Sequence, residues 1–151
     1  MLVLAPEVVR FEDAVFEDAL AVSVDRAAER LVEEWGDDGP HCAMADVTRT
    51  RTLVKVVRRP ARSGADETGL LRLGREGELV FYTSGGTDAG RVRVVVRCVL
   101  SGVKTELSLD APGRATGSPA RGLSAVQTLT FVGVSIDGGA SDPVSLSDSG
   151  V

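Results

Sequence analysis

Histidine is all but missing from this 151-residue chain, with His41 the only one. A Ser/His/Asp or Cys/His site would have to be built around that single imidazole, and a metal centre using two or more histidines is excluded. The two cysteines, Cys42 and Cys98, lie far apart and match no metal-ligand spacing. They read as buried or half-buried thiols, with a disulfide as the alternative. Cys42 adjoins His41, but neighbours along a strand point to opposite faces, which argues against a nucleophile paired with its base. Aromatic residues are scarce as well: four Phe, one Tyr and one Trp. Sugar-binding modules usually display Trp and Tyr, and here only Trp35 and Tyr82 are on hand. Nucleic-acid platforms interleave aromatics with bases, and none are interleaved here. No apolar stretch reaches the ~18 residues that read as a membrane span, and the segment Met1 to Glu7 lacks the basic start of a secretory signal. The expectation is a protein made and kept in a cytosol until it assembles, with no membrane partner, no metal or cofactor, and no catalytic residues.

What the chain does have is Val, Leu and Ala within a 43% apolar content, and the β-branched share favours strands. Its length suits one domain, burying roughly 68–70% of the surface an unfolded chain exposes. The net charge of −5 conceals an asymmetry. Residues 1–38 carry eleven acids against three arginines, a net −8, while residues 46–104 carry twelve bases against six acids, a net +6. Such complementarity serves either pairing within one molecule or the register of a head-to-tail oligomer.

The longest signal is Arg91 to Leu109. Its apolar face is Val92, Val94, Val96, Cys98 and Leu100, then Val103, Thr105, Leu107 and Leu109. The phase slip at Ser101-Gly102 is what a β-bulge produces. A strand this long exceeds the usual five or six residues, which points to a construction part more than to an enzyme. Further strands are expected at Met1–Leu4, Leu20–Asp25, His41–Val47, Arg51–Arg58, Gly77–Thr83 and Val126–Ile136, the last apolar on both faces and therefore central. The near-repeat Phe11-Glu12-Asp13-Ala14 and Phe16-Glu17-Asp18-Ala19 reads as a turn between two short extended pieces. Ala28, Leu31, Val32 and Trp35 fall at i, i+3, i+4 and i+7, which predicts one amphipathic helix with Asp25 as N-cap and Gly36 as stop. Ser84-Gly85-Gly86-Thr87 has the composition of a phosphate loop but lacks its Lys and joins two strands, so it reads as a hairpin tip. Residues 60–76 form a long polar connection with an apolar knot at Leu70, Leu71 and Leu73. The expected organisation is one β-rich domain over residues 1–136, a sandwich or barrel-like fold with one helix, followed by a flexible tail over 137–151.

Three segments together resemble the tail tube proteins of tailed bacteriophages, whose fold is shared with the type VI secretion tube. They are Gly74 to Phe81 entering a hairpin, the long strand Val92 to Leu109, and the closing strand Thr128 to Ser135. The resemblance spans about residues 20–136 and rests on strand order and texture. It implies stacked hexameric rings lined by a shared β-barrel, the helix outside the sheet, and DNA passing through the lumen without specific binding. The implied location is the virion tail, after assembly in the host cytoplasm, with other tail or neck proteins as partners. On this reading the acidic segment 7–38, with Glu33 and Glu34, faces the basic middle region of another copy, Arg91, Arg93 and Arg97 included, and Leu70, Leu71 and Leu73 either touch the next ring or pack back onto their own sheet. A single-ring neck, tail terminator or distal tail protein would carry the same texture. A monomeric β-sandwich that binds a ligand is the alternative of another class.

Overall fold

The computed structural model describes residues 1–60, 71–83, 91–109 and 123–148. Within these the chain is antiparallel β-sheet, with nine strands and no helix. The strands are β1 (Leu2–Leu4), β2 (Glu7–Phe11), β3 (Ala14–Phe16), β4 (Ala19–Trp35), β5 (Cys42–Arg58), β6 (Glu76–Tyr82), β7 (Val92–Leu109), β8 (Leu123–Gly133) and β9 (Val144–Asp148). Their order in the sheet is β1-β4-β5-β8-β7-β6-β2-β3, with β9 also paired to β7.

Period-two alternation puts one side of this sheet into a single core. Val22 and Val24 of β4, Val54 and Val56 of β5, Leu129 and Phe131 of β8, and Val94, Val96, Cys98 and Leu100 of β7 are all buried there. Leu79 and Phe81 of β6 join them, with Val9, Phe11, Ala14 and Phe16 from the β2/β3 hairpin. The Phe11 and Phe131 rings sit 5.0 Å apart, tilted by 54°, although β2 and β8 are separated in the sheet by β7 and β6. The sheet therefore curls until its own inner face meets itself. The bulge expected in β7 is present: Leu100 pairs with Phe131 and Gly102 with Thr130, leaving Ser101 as the extra residue. Its hydroxyl donates to the Thr130 carbonyl at 3.0 Å.

The helix expected over Ala28, Leu31, Val32 and Trp35 is replaced by the outer half of β4, a 17-residue strand paired along its length with the equally long β5. The short strand expected at His41–Val47 and the one at Arg51–Arg58 are parts of that single β5. Register shifts occur between Ala28 and Arg30 on β4, and across Arg30/Leu31 where Thr48 is extra on β5. The extra Glu29 on β4 puts Ala28 and Leu31, three residues apart, at matching places in the ladder, which imitates the spacing of a helical stripe. The stripe also has no core to pack on, because every residue from Asp25 to Arg51 is exposed. Without such packing a short helix is marginal, whereas the ladder to the Thr-rich strand β5 satisfies the backbone.

The stretch from Asp137 onward, read as a flexible tail, contributes β9 against Val92–Val96 of β7. Strands β8 and β9 use the same edge of β7, and residues 134–143 loop out between them at Arg97. There Val134 donates to the Arg97 carbonyl (2.9 Å) and Arg97 donates to the Pro143 carbonyl (3.0 Å). The Asp137 carboxylate accepts from the Ser135 hydroxyl (2.6 Å) and the Ser141 amide (2.7 Å). These hydrogen bonds, with the Ser135 one leading, pull its carboxyl down to about 2. Gly133 is the point of closest approach, since a Cβ there would lie 2.9 Å from both Thr52 Cβ and Pro143 Cγ. A larger residue would push the excursion off β5. The pattern of Ser, Asp and Gly that suggested fraying is used instead for side-chain to backbone hydrogen bonds that fix a turn.

Candidate assembly surface

Strand β8 pairs with β5 only over Gln127–Val132 and Leu53–Arg58. Because the two run antiparallel, the rest of each hairpin leaves the sheet in opposite directions. The outer parts of β4 and β5 (Asp25–Trp35 and Cys42–Thr52) form a two-stranded ribbon beyond one end, and the outer parts of β7 and β8 (Glu106–Leu109 and Leu123–Val126) form another beyond the opposite end. Strand β1 covers β4 only at Ala21–Ser23, and β6 covers β7 only at Arg93–Val99. Both ribbons thus carry strand edges without partners among the described residues. Apolar side chains ride on them in the open. The β4/β5 ribbon exposes Leu31, Val32, Trp35 (61%), Met44 and Val47, and β7 exposes Val103 and Leu107 (72%) on its outer half. Long edges with apolar decoration invite pairing with another chain.

The residues expected at an interface fall into two groups. Glu33 and Glu34 lie near the tip of the β4/β5 ribbon, exposed, opposite Ala45 and Met44. The arginines are on the sheet proper, Arg93 and Arg97 in the first half of β7 and Arg91 just before it. Arg91 is held by Glu7 at 2.6 Å, and Arg97 directs both Nε and Nη2 onto Glu76 Oε1 at 2.9 Å. Arg93 is half-buried, opposite Tyr82 on β6 and Ser147 on β9. Among the described residues no ion pair links the acidic pair to these three arginines, and two of the three already have acids of their own. In the apolar knot, Leu71 packs against its own core, Leu73 is exposed, and Leu70 lies outside the described residues. The turn beside it is tied to β7 by Gly74 donating to the Leu100 carbonyl at 2.8 Å. The hairpin tip expected at Ser84–Thr87 also lies outside the described residues.

The ribbon itself escaped the sequence reading, yet a signal for it exists. Two stretches of equal length flank the turn Asp37-Asp38-Gly39-Pro40, as a long hairpin requires.

His41 and Cys42 sit where that turn enters β5, both exposed, and Cys42 Sγ lies 3.0 Å from the Met44 carbonyl. Among the described residues no cluster of three or more His, Cys, Asp or Glu could hold a metal ion, and no helix is long and apolar enough to cross a membrane. A cleft of about 740 Å3 lies between the root of the β4/β5 ribbon and the 134–143 excursion. Arg26, Arg49, Thr48, Thr50, Ser135 and Ser141 are among its lining residues, and Arg26 is held there by Asp142 at 2.9 Å.

The two thiols differ sharply. Burial pushes Cys98 up to about 12, against a smaller opposing pull from the Leu79 backbone hydrogen bond, so it stays protonated and shielded in the core, while Cys42 faces solvent. In the native subunit at neutral pH a maleimide is expected to label one thiol per chain, Cys42, with Cys98 reacting only after unfolding. Mass spectrometry of the native and denaturant-treated protein checks this; fast double labelling without denaturant would contradict the burial of Cys98.

No protein-family model matches this chain, and no curated protein matches it either.

Proposed function

We propose that the chain is a structural subunit that builds rings or tubes by self-association, of the tail-tube type. The observation that carries this reading is the pair of ribbons leaving opposite ends of one curled sheet, with unpartnered edges and exposed apolar side chains. A head-to-tail contact between unlike ends propagates, closing into a ring or stacking into a tube. Strand addition across subunits would hide the edges and extend the sheet around a shared barrel. In its full form the proposal is a phage tail tube protein: hexameric rings, stacked, enclosing a lumen through which DNA slides without specific binding, in a virion tail put together in the host cytoplasm. The net negative charge suits a wall that must not hold phosphates. The outer helix implied by the resemblance is absent among the described residues, so the strand architecture alone supports this reading.

Negative-stain imaging with light scattering on the purified full chain tests it. Rings or stacked rings are expected. Isolated single rings would favour a neck, tail terminator or distal tail part. A strict monomer at every concentration would move the assignment to a ligand-binding β-domain, for which the polar cleft beside the excursion is the place to look.

A further inference from the structure

The β4/β5 ribbon is a charge-segregated rod. From Leu31 to Thr48 it carries five acids (Glu33, Glu34, Asp37, Asp38 and Asp46) and no Lys or Arg, a net −5. Its root, residues 25–30 and 49–52, carries four arginines (Arg26, Arg30, Arg49 and Arg51) against Asp25 and Glu29, a net +2. A 17-residue strand spans ~55 Å, so the two charge blocks occupy separate stretches of a long ribbon. Among the described residues Arg26 is committed to Asp142, but no ion pair engages Arg30, Arg49 or Arg51, nor any of the five distal acids. The distal acids on the strands face uncharged residues, Glu33 pairing with Ala45, Glu34 with Met44 and Asp46 with Val32, while Asp37 and Asp38 stand in the turn.

We propose that the acidic distal half of the ribbon in one copy docks along the basic root of the ribbon in another copy. The contact rests on the self-assembly reading above and assigns its partner surfaces. The root is the right receptor on three counts. Among the described residues its Arg30, Arg49 and Arg51 enter no ion pair, whereas Arg91 is held by Glu7 and Arg97 by Glu76. The cleft of about 740 Å3 beside it is lined by Arg49 and Thr50, both able to donate to carboxylates, and by Glu29 and Asp142, the latter held by Arg26. The tip brings Trp35, Leu31, Met44 and Val47 in the open as apolar anchors, and Trp is the residue type most often found carrying an interface. Docking tip on root in a constant direction repeats indefinitely, whereas tip on tip sets five acids against five.

A charge swap tests this with the full-length protein. Glu33→Lys with Glu34→Lys, and separately Arg49→Glu with Arg51→Glu, are each expected to weaken assembly at least about tenfold in low salt, read by sedimentation velocity, with unchanged far-UV circular dichroism. All four substitutions together are expected to recover most of the lost assembly. Failure of the combined variant to recover, or assembly indifferent to either pair, overturns the tip-on-root contact while leaving self-assembly standing. A wild-type chain that stays monomeric throughout overturns the assembly reading and this contact with it. Loss of the native spectrum in a charge-reversed variant is handled by Glu33→Gln with Glu34→Gln, which removes the charge without reversing it and is expected to weaken assembly less than the Lys pair; equal or greater assembly than wild type overturns the proposal.

Discussion

Replacing Phe131 with Ala is expected to destabilise the subunit by about 3–5 kcal/mol and to lower its melting temperature by on the order of 10 °C. Phe131 is fully buried on β8, a strand paired on both edges, so the structure cannot collapse into the space the ring leaves. Its ring also meets Phe11 at 5.0 Å across the curl of the sheet. The loss therefore includes an aromatic contact, worth about 0.5–1.5 kcal/mol, between parts of the sheet that do not adjoin. Thermal unfolding of the Ala variants of Phe131, Phe11 and both together measures that contact as a coupling energy. A double variant whose loss equals the sum of the two singles would show that the curl is held elsewhere.

Arg58 is expected to behave as a core residue despite its charge, and Arg58→Ala to cost about 3 kcal/mol. Only 2% of it is exposed. Its Nε donates to Gln127 Oε1 at 2.8 Å, and its guanidinium lies 4.8 Å above the Phe16 ring. Gln127 in turn donates to Thr105 at 3.4 Å, so the side chain joins β5 to β8, and through Gln127 to β7, at one end of the core. Arg58→Met keeps the apolar stem but not the hydrogen bond, and an intermediate loss is expected. Should the Met variant melt at or above the wild-type temperature, the guanidinium contributes nothing net, as a buried charge can.

Much of the sheet was legible because alternation is a local code. Thr52, Val54 and Val56 could be assigned to the buried face of β5 from period two alone, and β8 could be placed centrally because both of its faces are apolar. The bulge at Ser101 showed as a slip in that same period. Alternation misled where bulges interrupt it. At Glu29 one extra residue on β4 resets the phase, so Ala28 and Leu31 take matching places in the ladder at a spacing of three that a helix also gives. Propensity agreed with the wrong answer, since Ala27, Ala28, Glu29 and Leu31 are all good helix formers. The tail misled for a different reason: Gly, Ser and Asp signal both a frayed end and a hydrogen-bonded turn, and the distinction lies in whether an edge of β7 is there to receive β9.

The candidate surface divides along the same line. Sequence alone determined an acidic first quarter, a basic middle, a single histidine, and an unusually long strand, because these depend only on which residues are present and how they alternate. Tertiary structure decided which charges are spent and which are free. Glu7 and Glu76 lie far in sequence from the arginines they hold, and only the pairing of β6 with β7 and the placement of Glu7 beside Arg91 bring them together. It also decided that the acids of residues 33–38 stand at the far end of a ribbon and not on a helix against the sheet. That outcome follows from a backbone ladder between two 17-residue strands, an interaction between segments that no local pattern encodes.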